Sequence, residues 1–392
     1  MMGCGQEAFR PPELRMTKTV VEFEAQVART DRRKSETALR IAILGIFGEL
    51  GSLASEVKKR LRDGKPYHRD RAILVEEAGD LLWYFAALGI TIGYPLHQMI
   101  ATILGTTVDA QTTWREVDKE FSALATAASG DAWLDAAEKA GLIAGQSKNP
   151  NSGQLNQACF DGLRACLIAL RSSGISLHSA VNGNVRKSNS RFPELLEFPR
   201  LYDDRKNADK VKLPIDEMLP KRMSFEFDEV EIRGKKYVKQ KVFQINIGDP
   251  LTDNISEQDD YRFHDVFHLA YAATLGWSPV LRALLKAKRK SAPSLDENED
   301  GARAILIEEG ISSWIFNKAK PHYFDGATRI DYDILKTISD FVQGYEVQDQ
   351  PFWTWERAIL RGYDVFRELK AARRGRVDID LVSREIRFFP IR

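Results

Sequence analysis

Two amphipathic helices that carry four carboxylates constrain the fold of this chain more than any other stretch. In residues 45–88 the apolar side chains return at intervals of three and four, which predicts two adjacent helices. Glu49 and Glu56 share one face of the first helix, and Glu77 and Asp80 share one face of the second. Acidic groups beside an apolar stripe are costly unless they are paired or bind a metal ion. The pattern therefore indicates a site for a hard divalent cation such as Mg²⁺.

The simpler explanation for any one of these acids is a solvated helix face. Their context favours the metal site, because the acids border the apolar stripe and the two acidic motifs are one helical hairpin apart. Three glycines, Gly48, Gly51 and Gly79, would also permit close approach between helices.

Residues 45–59 and 72–88 resemble the MazG family of all-α nucleoside triphosphate pyrophosphohydrolases, whose motif is ExxE, a spacer and ExxD. The resemblance aligns the first glutamate of the family with Glu49 and its ExxD with Glu77 and Asp80. It implies that these three residues are catalytic and bind Mg²⁺, with Mn²⁺ as a substitute.

The second glutamate of the family motif aligns with Ser52, which is a departure. A neutral hydroxyl is a poorer ligand for a hard cation, so weaker metal binding, or the loss of one of two ions, would follow. Glu56 lies one turn further along and either compensates as an additional metal ligand or only flanks the site.

Composition sets broad limits on the protein. With 392 residues, 43% of them hydrophobic, the chain has enough apolar content for two or three domains. A net charge of +1 argues against nucleic acid or an anionic membrane as a partner. Three cysteines form no disulfide framework, and no apolar run is long enough to span a membrane, so we expect a cytoplasmic protein. Residues 1–16 read as a disordered leader.

A partial internal repeat divides the helical region, residues 17–195. Residues 80–100 align without gaps on residues 161–181, and shared positions include Asp80/Asp161, Gly93/Gly174 and His97/His178. We expect two four-helix units packed as a pseudo-dimer, with residues 17–110 as the active copy and 111–195 as a degenerate one. Chance similarity between amphipathic helices is the alternative. A tandem chain could supply this pairing alone or form a further homodimer.

The second copy ends in a basic helix that carries Asn184, Lys187 and Arg191 ahead of Pro193. At this spacing the amide and the two cations lie along one face, where they could hold triphosphate oxygens. The last helix of MazG proteins carries a similar Asn-x-x-Lys-x-x-x-Arg pattern, and the resemblance implies that these residues bind substrate. A solvated helix end that complements the helix dipole is the alternative.

Residues 196–222 are charged and punctuated by prolines, so we interpret them as a linker. Residues 223–392 differ in kind and predict an α+β domain. Apolar and polar residues alternate on both sides of RGKK, which indicates a β-hairpin; an acidic loop follows, and helices resume at Tyr261. This region resembles the C-terminal domain that some MazG-like proteins carry, a resemblance that implies no chemistry.

The motif HDxxH in this region predicts a second site. His264 and His268 are four residues apart on one helix face, so both could bind one transition-metal ion, with Asp265 as a further ligand. Glu308 and Glu309 could supply acidic partners from another helix. Structural packing or a satisfied hydrogen-bond network is the alternative.

The sequence thus predicts a mainly α protein, with an all-α MazG-like bundle followed by an α+β domain. The resemblance implies a Mg²⁺-dependent enzyme that cleaves a nucleoside triphosphate, ribo or deoxy, to the monophosphate and pyrophosphate. Trp83 and Tyr84 would line a base pocket or belong to the core. Two alternatives stay open: a non-hydrolytic nucleotide sensor that regulates the C-terminal domain, and a metal phosphohydrolase centred on HDxxH.

Overall fold

The computed structural model describes residues 19–64, 70–127, 131–146, 153–205 and 212–391. Within these ranges it contains fourteen α-helices and one five-stranded antiparallel sheet, and all five strands lie in the C-terminal region. The prediction of a mainly α chain with a C-terminal α+β domain is therefore confirmed. The described residues form two compact units that separate between Glu194 and Leu195. The predicted leader, residues 1–16, lies outside the described residues.

The N-terminal unit contains two groups of four helices. The first group is α1 (Val20–Thr30), α2 (Ala38–Asp63), α3 (Asp70–Ile92) and α4 (Leu96–Leu104); the second is α5 (Trp114–Ala127), α6 (Ala132–Gln146), α7 (Gly153–Ser172) and α8 (Leu177–Arg191). Helix α2 packs on α3, α6 packs on α7, and α3 also packs on α8. The apolar faces of all eight helices meet in one core.

Helix α2 is, among the described helices, the one that is long and apolar enough to cross a membrane. Its inner face buries Ile46, Leu50 and Leu53 in the core. A core helix passes the same test of length and composition, so this is weak evidence for a membrane span.

Both helix groups begin with the same capping arrangement. Thr19 caps α1 and Thr113 caps α5, and each exchanges hydrogen bonds with a glutamate three residues later, Glu22 and Glu116 respectively. Thr19 and Thr113 also pair with each other in an isolated antiparallel β-bridge. The first turns of the two groups therefore meet in a symmetric manner.

A second pair of contacts repeats between the groups. Glu24 on α1 accepts the backbone N–H of His97 at the start of α4, and Asp118 on α5 accepts that of Leu177 at the start of α8, both at 2.9 Å. Two copies of one four-helix unit would show such repeated contacts, which add to the sequence repeat.

The glycines of the sequence repeat occupy equivalent turns. Gly93 follows α3 and Gly174 follows α7, with φ angles of +70° and +73°. In this left-handed region glycine avoids the strain that a Cβ would cause. The turns between α3 and α4 and between α7 and α8 are thus built in the same way.

The C-terminal unit combines a sheet with six helices. The elements are β1 (Arg222–Ile232), β2 (Lys235–Val242), β3 (Ile245–Leu251), α9 (Asp265–Leu275), α10 (Pro279–Leu285), α11 (Pro293–Asn298), α12 (Ala302–Ala319), α13 (Tyr332–Phe341), α14 (Phe352–Ala372), β4 (Arg374–Asp380) and β5 (Glu385–Phe389). The strand order is β3-β2-β1-β4-β5. Helices α9 and α14 pack together and against β4 and β5, so α9 lies in the centre of this unit.

The predicted hairpin is present as β1 and β2, which pair from Phe225/Val242 to Ile232/Lys235. Two features differ from the expectation. Strand β3 continues to Leu251, into the stretch expected to be an acidic loop, because β2 offers it a pairing edge. Strand β4 was not expected; it starts directly after α14, where Arg373 adopts a left-handed conformation.

The stretch expected to be a linker, residues 196–222, contributes to the C-terminal core on both sides of residues 206–211, which lie outside the described residues. Leu201, Tyr202 and Leu219 are buried there, and the carboxylate of Asp203 accepts the backbone N–H of Leu219 at 2.8 Å. Its apolar residues are widely spaced among charges, so they form no periodic pattern that would reveal the packing.

Candidate active site and candidate metal centre

Three of the four predicted acids of the N-terminal unit, Glu49, Glu77 and Asp80, lie together where α2 packs on α3. The side chain of Glu49 hydrogen-bonds to that of Glu77. Burial, this hydrogen bond and the negative charges of Asp80 and Glu77 raise the pKa of Glu49 to about 9, against the opposing attraction of Lys187. Glu49 therefore retains a proton at neutral pH, chiefly because burial disfavours its charged form.

Helix α8 brings an amide and an ammonium group to the same cluster. Asn184 Nδ2 donates to Asp80 Oδ1 at 2.7 Å, and Lys187 Nζ donates to Asp80 Oδ2. Lys187 Nζ also lies 3.5 Å from Glu76 Oε1. The acidic hairpin and the basic helix, more than 100 residues apart in the chain, thus meet in one place.

Gly79 permits the close approach of α8 to α3. A Cβ at this position would lie 2.4 Å from the backbone oxygen of Ala180 and 3.0 Å from Asn184 Cβ. The expectation that Gly48 and Gly51 have the same role was wrong: both are exposed, and no atom lies within 4 Å of where their Cβ would be. They lie on the outer face of α2.

Tyr84 borders the acid cluster. Its ring packs on Gly45, where an added Cβ would lie 2.3 Å from the ring. Burial, together with the nearby carboxylates of Glu49 and Asp80, raises the pKa of Tyr84. Trp83 contacts the Tyr84 ring edge to face, with centroids 5.1 Å apart, and both side chains are half-buried. The two aromatic rings are therefore neither fully in the core nor fully exposed.

Glu56 and Ser52 occupy the later turns of α2. Glu56 forms an ion pair with Lys59 on its own helix. Ser52 is exposed. Glu56 also lies two turns, about 10 Å, from Glu49 along the helix axis. The structure therefore does not group Glu56 with the other acids.

Arg191 lies at the far end of α8. It is seven residues, about 10 Å, beyond Asn184 along the axis. Its guanidinium carbon lies 5.4 Å from the centroid of the Phe192 ring. Of the three predicted substrate-binding residues, Asn184 and Lys187 contact Asp80, and Arg191 lies about one turn beyond Lys187 on α8.

The histidine motif forms a second cluster, in the C-terminal unit. His268 Nε2 lies 3.5 Å from Glu309 Oε2, and His264 Nε2 lies 3.8 Å from the same oxygen. One ligand atom from each of these residues lies within 4.8 Å of the other two. Within the described ranges, no other group of His, Cys, Asp or Glu side chains meets this condition for holding a metal ion.

Glu308 fixes the ring of His268. Its Oε1 lies 2.8 Å from His268 Nδ1, and it also accepts hydrogen bonds from Ser278 Oγ at 2.7 Å and from the Val280 backbone N–H at 2.8 Å. Burial lowers the pKa of His268, but the charges of Glu308 and Glu309 and the hydrogen bond with Glu308 outweigh it and raise this pKa well above the usual value. The carboxylate of Glu308 is fully buried, so its contacts with His268 are not screened by solvent.

The ring of His264 is fixed by its neighbour Tyr261. Nδ1 donates to the Tyr261 backbone oxygen at 2.8 Å, because a carbonyl can only accept, and the two rings stack with centroids 4.3 Å apart. Asp265 Oδ1 lies 3.2 Å from His264 Nε2, and Asp265 Oδ2 accepts a hydrogen bond from Gln240. Asp265, the acid of the HDxxH motif, therefore lies beside His264 Nε2, the nitrogen that also faces Glu309.

Sequence reasoning missed two residues at these clusters. Glu76 contacts Lys187, and it could have been found because it lies one turn before Asp80 on the same face of α3. Gln240 reaches Asp265 from β2, and nothing in the strand pattern distinguishes it from a core-facing polar residue.

The fold and the two clusters define a mainly α, two-unit protein with one carboxylate-rich site and one histidine–carboxylate site. Residues 204–392 match the family model described as the MazG C-terminal domain. This match covers the sheet and the histidine cluster and supports a MazG-related protein. The helical N-terminal unit lies outside the matched region. Comparison with curated proteins and with solved structures gives no match.

Proposed function

We propose that the N-terminal unit is a Mg²⁺-dependent pyrophosphohydrolase that cleaves a nucleoside triphosphate, ribo or deoxy, to the monophosphate and pyrophosphate. The observation that carries this proposal is the contact of Asp80 with Asn184 and Lys187 beside the Glu49–Glu77 pair. It combines oxygen ligands for a hard cation with a positive charge for phosphate. The resemblance of these helices to MazG enzymes and the family match of the C-terminal unit both favour this class of chemistry.

The donor chemistry of the cluster fits Mg²⁺. Glu49, Glu77 and Asp80 offer carboxylate oxygen atoms, which are the ligands that Mg²⁺ prefers. These three residues would hold the ion, and Mn²⁺ could replace it. When bound, the ion supplies polarisation of phosphoryl oxygens and a lower pKa for an attacking water.

The other residues of the cluster orient the Asp80 carboxylate or neutralise negative charge on the substrate. Asn184 holds one oxygen of Asp80 and so fixes the rotation of that carboxylate. Lys187 is a point charge that exchanges its contact with Asp80 for phosphate oxygens when substrate enters, and it then neutralises charge on the departing pyrophosphate. Trp83 and Tyr84 provide aromatic surface beside the acids on which a base can stack. Attack at the α-phosphorus is what the resemblance to MazG enzymes implies.

Ser52 favours a second candidate function. It is exposed on α2 at the position where the family motif has a glutamate, so the cluster has one carboxylate fewer. A site with fewer ligands could bind a nucleotide without turning it over. In that case the helical unit would be a nucleotide sensor for the C-terminal unit.

A substrate panel tests the proposal. The purified full chain is incubated with Mg²⁺ and each ribo- and deoxyribonucleoside triphosphate, and pyrophosphate and monophosphate are measured. We expect both products from at least one substrate, loss of both with Glu77→Gln, and full activity with the matched variant Glu56→Gln. Tight binding without products would favour the sensor. Release of inorganic phosphate and diphosphate instead would contradict cleavage at the α-phosphorus.

A further inference from the structure

Two histidine rings in the C-terminal unit are fixed so that the same type of nitrogen faces one carboxylate. His264 donates from Nδ1 to the backbone oxygen of Tyr261, and His268 contacts Glu308 through Nδ1. In both rings Nε2 faces Glu309, and His264 Nε2 also lies 3.2 Å from Asp265 Oδ1. Histidines that bind metal ions commonly donate their other N–H to a carbonyl or carboxylate in this way, which sets the tautomer and the ring orientation.

The Nε2 atom of His268 is the second observation. The side chain is 1% exposed, and Nε2 forms no hydrogen bond with any residue that the structure describes. It faces Glu309 Oε2 at 3.5 Å, which is too long for a good hydrogen bond. A buried polar atom left in this state is costly, and a bound ion would satisfy it.

The separations suit ligands of one ion. Tetrahedral zinc with bonds of about 2.0–2.1 Å places its ligand atoms about 3.3 Å apart. The observed distances from Glu309 Oε2 are 3.5 Å to His268 Nε2 and 3.8 Å to His264 Nε2. All three ligand atoms lie within 4.8 Å of one another, so the side chains would have to move closer together to hold one ion.

We propose that His264, His268 and Glu309 bind a divalent transition-metal ion of the zinc class. Two imidazoles with one carboxylate favour Zn²⁺ or a neighbouring first-row ion over Mg²⁺, which prefers oxygen ligands. Glu309 is 38% exposed, so the site is open to solvent on that side. A fourth position is thus accessible to water or to a substrate group, as in catalytic zinc sites.

The experiment uses the full chain, stripped with a chelator and titrated with Zn²⁺ alone or Co²⁺ alone. We expect one tightly bound equivalent of Zn²⁺ and a Co²⁺ absorption spectrum typical of low coordination with nitrogen ligands. Glu309→Gln should weaken Zn²⁺ binding roughly 100-fold, since removing a first ligand should cost at least as much as removing an outer partner. Glu368→Gln, an exposed acid of the same unit, is the matched control and should bind like the wild type.

Two further variants keep the result unambiguous. Glu77→Gln alters the acid cluster of the N-terminal unit and should leave this Zn²⁺ equivalent in place. His264→Gln should weaken binding as Glu309→Gln does, and circular dichroism verifies that each variant is folded. The proposal is overturned if the wild type retains no Zn²⁺, if folded Glu309→Gln binds as tightly as the wild type, or if Glu77→Gln removes the equivalent.

Discussion

The charged groups of the acid cluster and of the histidine cluster have different kinds of partner. In the N-terminal unit, Asp80 already has Lys187 and Asn184 as partners, and burial beside Glu77 and Asp80 raises the pKa of Glu49 to about 9. In the C-terminal unit, both histidines are held at Nδ1 and direct Nε2 to Glu309. The first arrangement suits an ion that arrives with an anionic substrate, and the second suits an ion bound by the protein alone. Both clusters contain carboxylates, and they differ in whether lysine and asparagine or two histidines accompany them.

The largest effect should appear when Glu77→Gln and Glu309→Gln are each measured for both pyrophosphate release and Zn²⁺ binding. We expect Glu77→Gln to lower pyrophosphate release at least 100-fold, because weaker metal binding removes several kcal/mol of stabilisation, and we expect Glu309→Gln to leave it unchanged. Zinc content should show the reverse pattern. If Glu309→Gln abolished hydrolysis while Glu77→Gln did not, the phosphohydrolase would be the C-terminal cluster and not the N-terminal one.

Lys187 offers a sharper test of the N-terminal site. Lys187→Met removes the point charge but leaves Asn184 on Asp80, so we expect kcat/KM for the triphosphate to fall about 10- to 100-fold. Steady-state kinetics at saturating Mg²⁺ measures it. Lys59→Met is the matched control, since Lys59 pairs with Glu56 away from the cluster. Equal losses in both variants would show a general effect of charge rather than a contact with phosphate.

Gly79 and Gly48 form a matched pair for the geometry of the acid cluster. Gly79→Ala forces a Cβ against the backbone of α8, so we expect a loss of about 2 kcal/mol in the free energy of unfolding and a further loss of activity. Gly48→Ala meets no atom within 4 Å, so it should stabilise α2 by up to about 1 kcal/mol. Urea unfolding measures both. A neutral Gly79→Ala would mean that α8 can move away from α3 without cost.

The features of this molecule that depend on local sequence patterns were predicted better than those that depend on long-range contacts. The helices of the acidic hairpin, the first β-hairpin and the pairing of His264 with His268 all follow from spacing along the chain. The close approach at Gly79 was also predicted, because a residue without a Cβ lets a neighbouring helix pack closely. Helix spacing alone could not separate Gly79 from Gly48 and Gly51, since all three lie on helices and only packing against α8 distinguishes them.

Contacts between distant segments account for what was not predicted. Strand β4 depends on pairing with β1, and the apolar residues of the stretch 196–222 depend on a core assembled from later elements. The contact between the caps at Thr19 and Thr113 was not predicted either, because it also joins distant segments. Each capping box is visible as T-x-x-E in the sequence, but the bridge between the two caps requires both helix groups to be folded.

Glu299 is a partly buried acid with a raised pKa that lies outside both clusters. Like Glu49 it is buried near other acids, and burial with the charge of Glu346 raises its pKa from 4.5 to about 7. Its Oε2 accepts the backbone N–H of Glu346 at 2.9 Å, a structural contact that a glutamine can keep. No metal-binding group of the C-terminal cluster contributes to this shift. A raised pKa therefore does not by itself identify a site.

The pH dependence of stability tests this contrast. Below pH 4.5 Glu299 is protonated in both the folded and the unfolded chain, so it changes nothing. Between pH 4.5 and about 7 the unfolded state ionises while the folded state retains its proton, and stability falls by up to about 3 kcal/mol. Glu299→Gln should remove this cost, so its unfolding free energy should exceed that of the wild type at pH 8 and equal it at pH 4. Hydrolysis and Zn²⁺ binding should not change. The exposed neighbour Glu297→Gln should show no such pH-dependent gain; if it did, the gain would reflect net charge rather than the burial of Glu299.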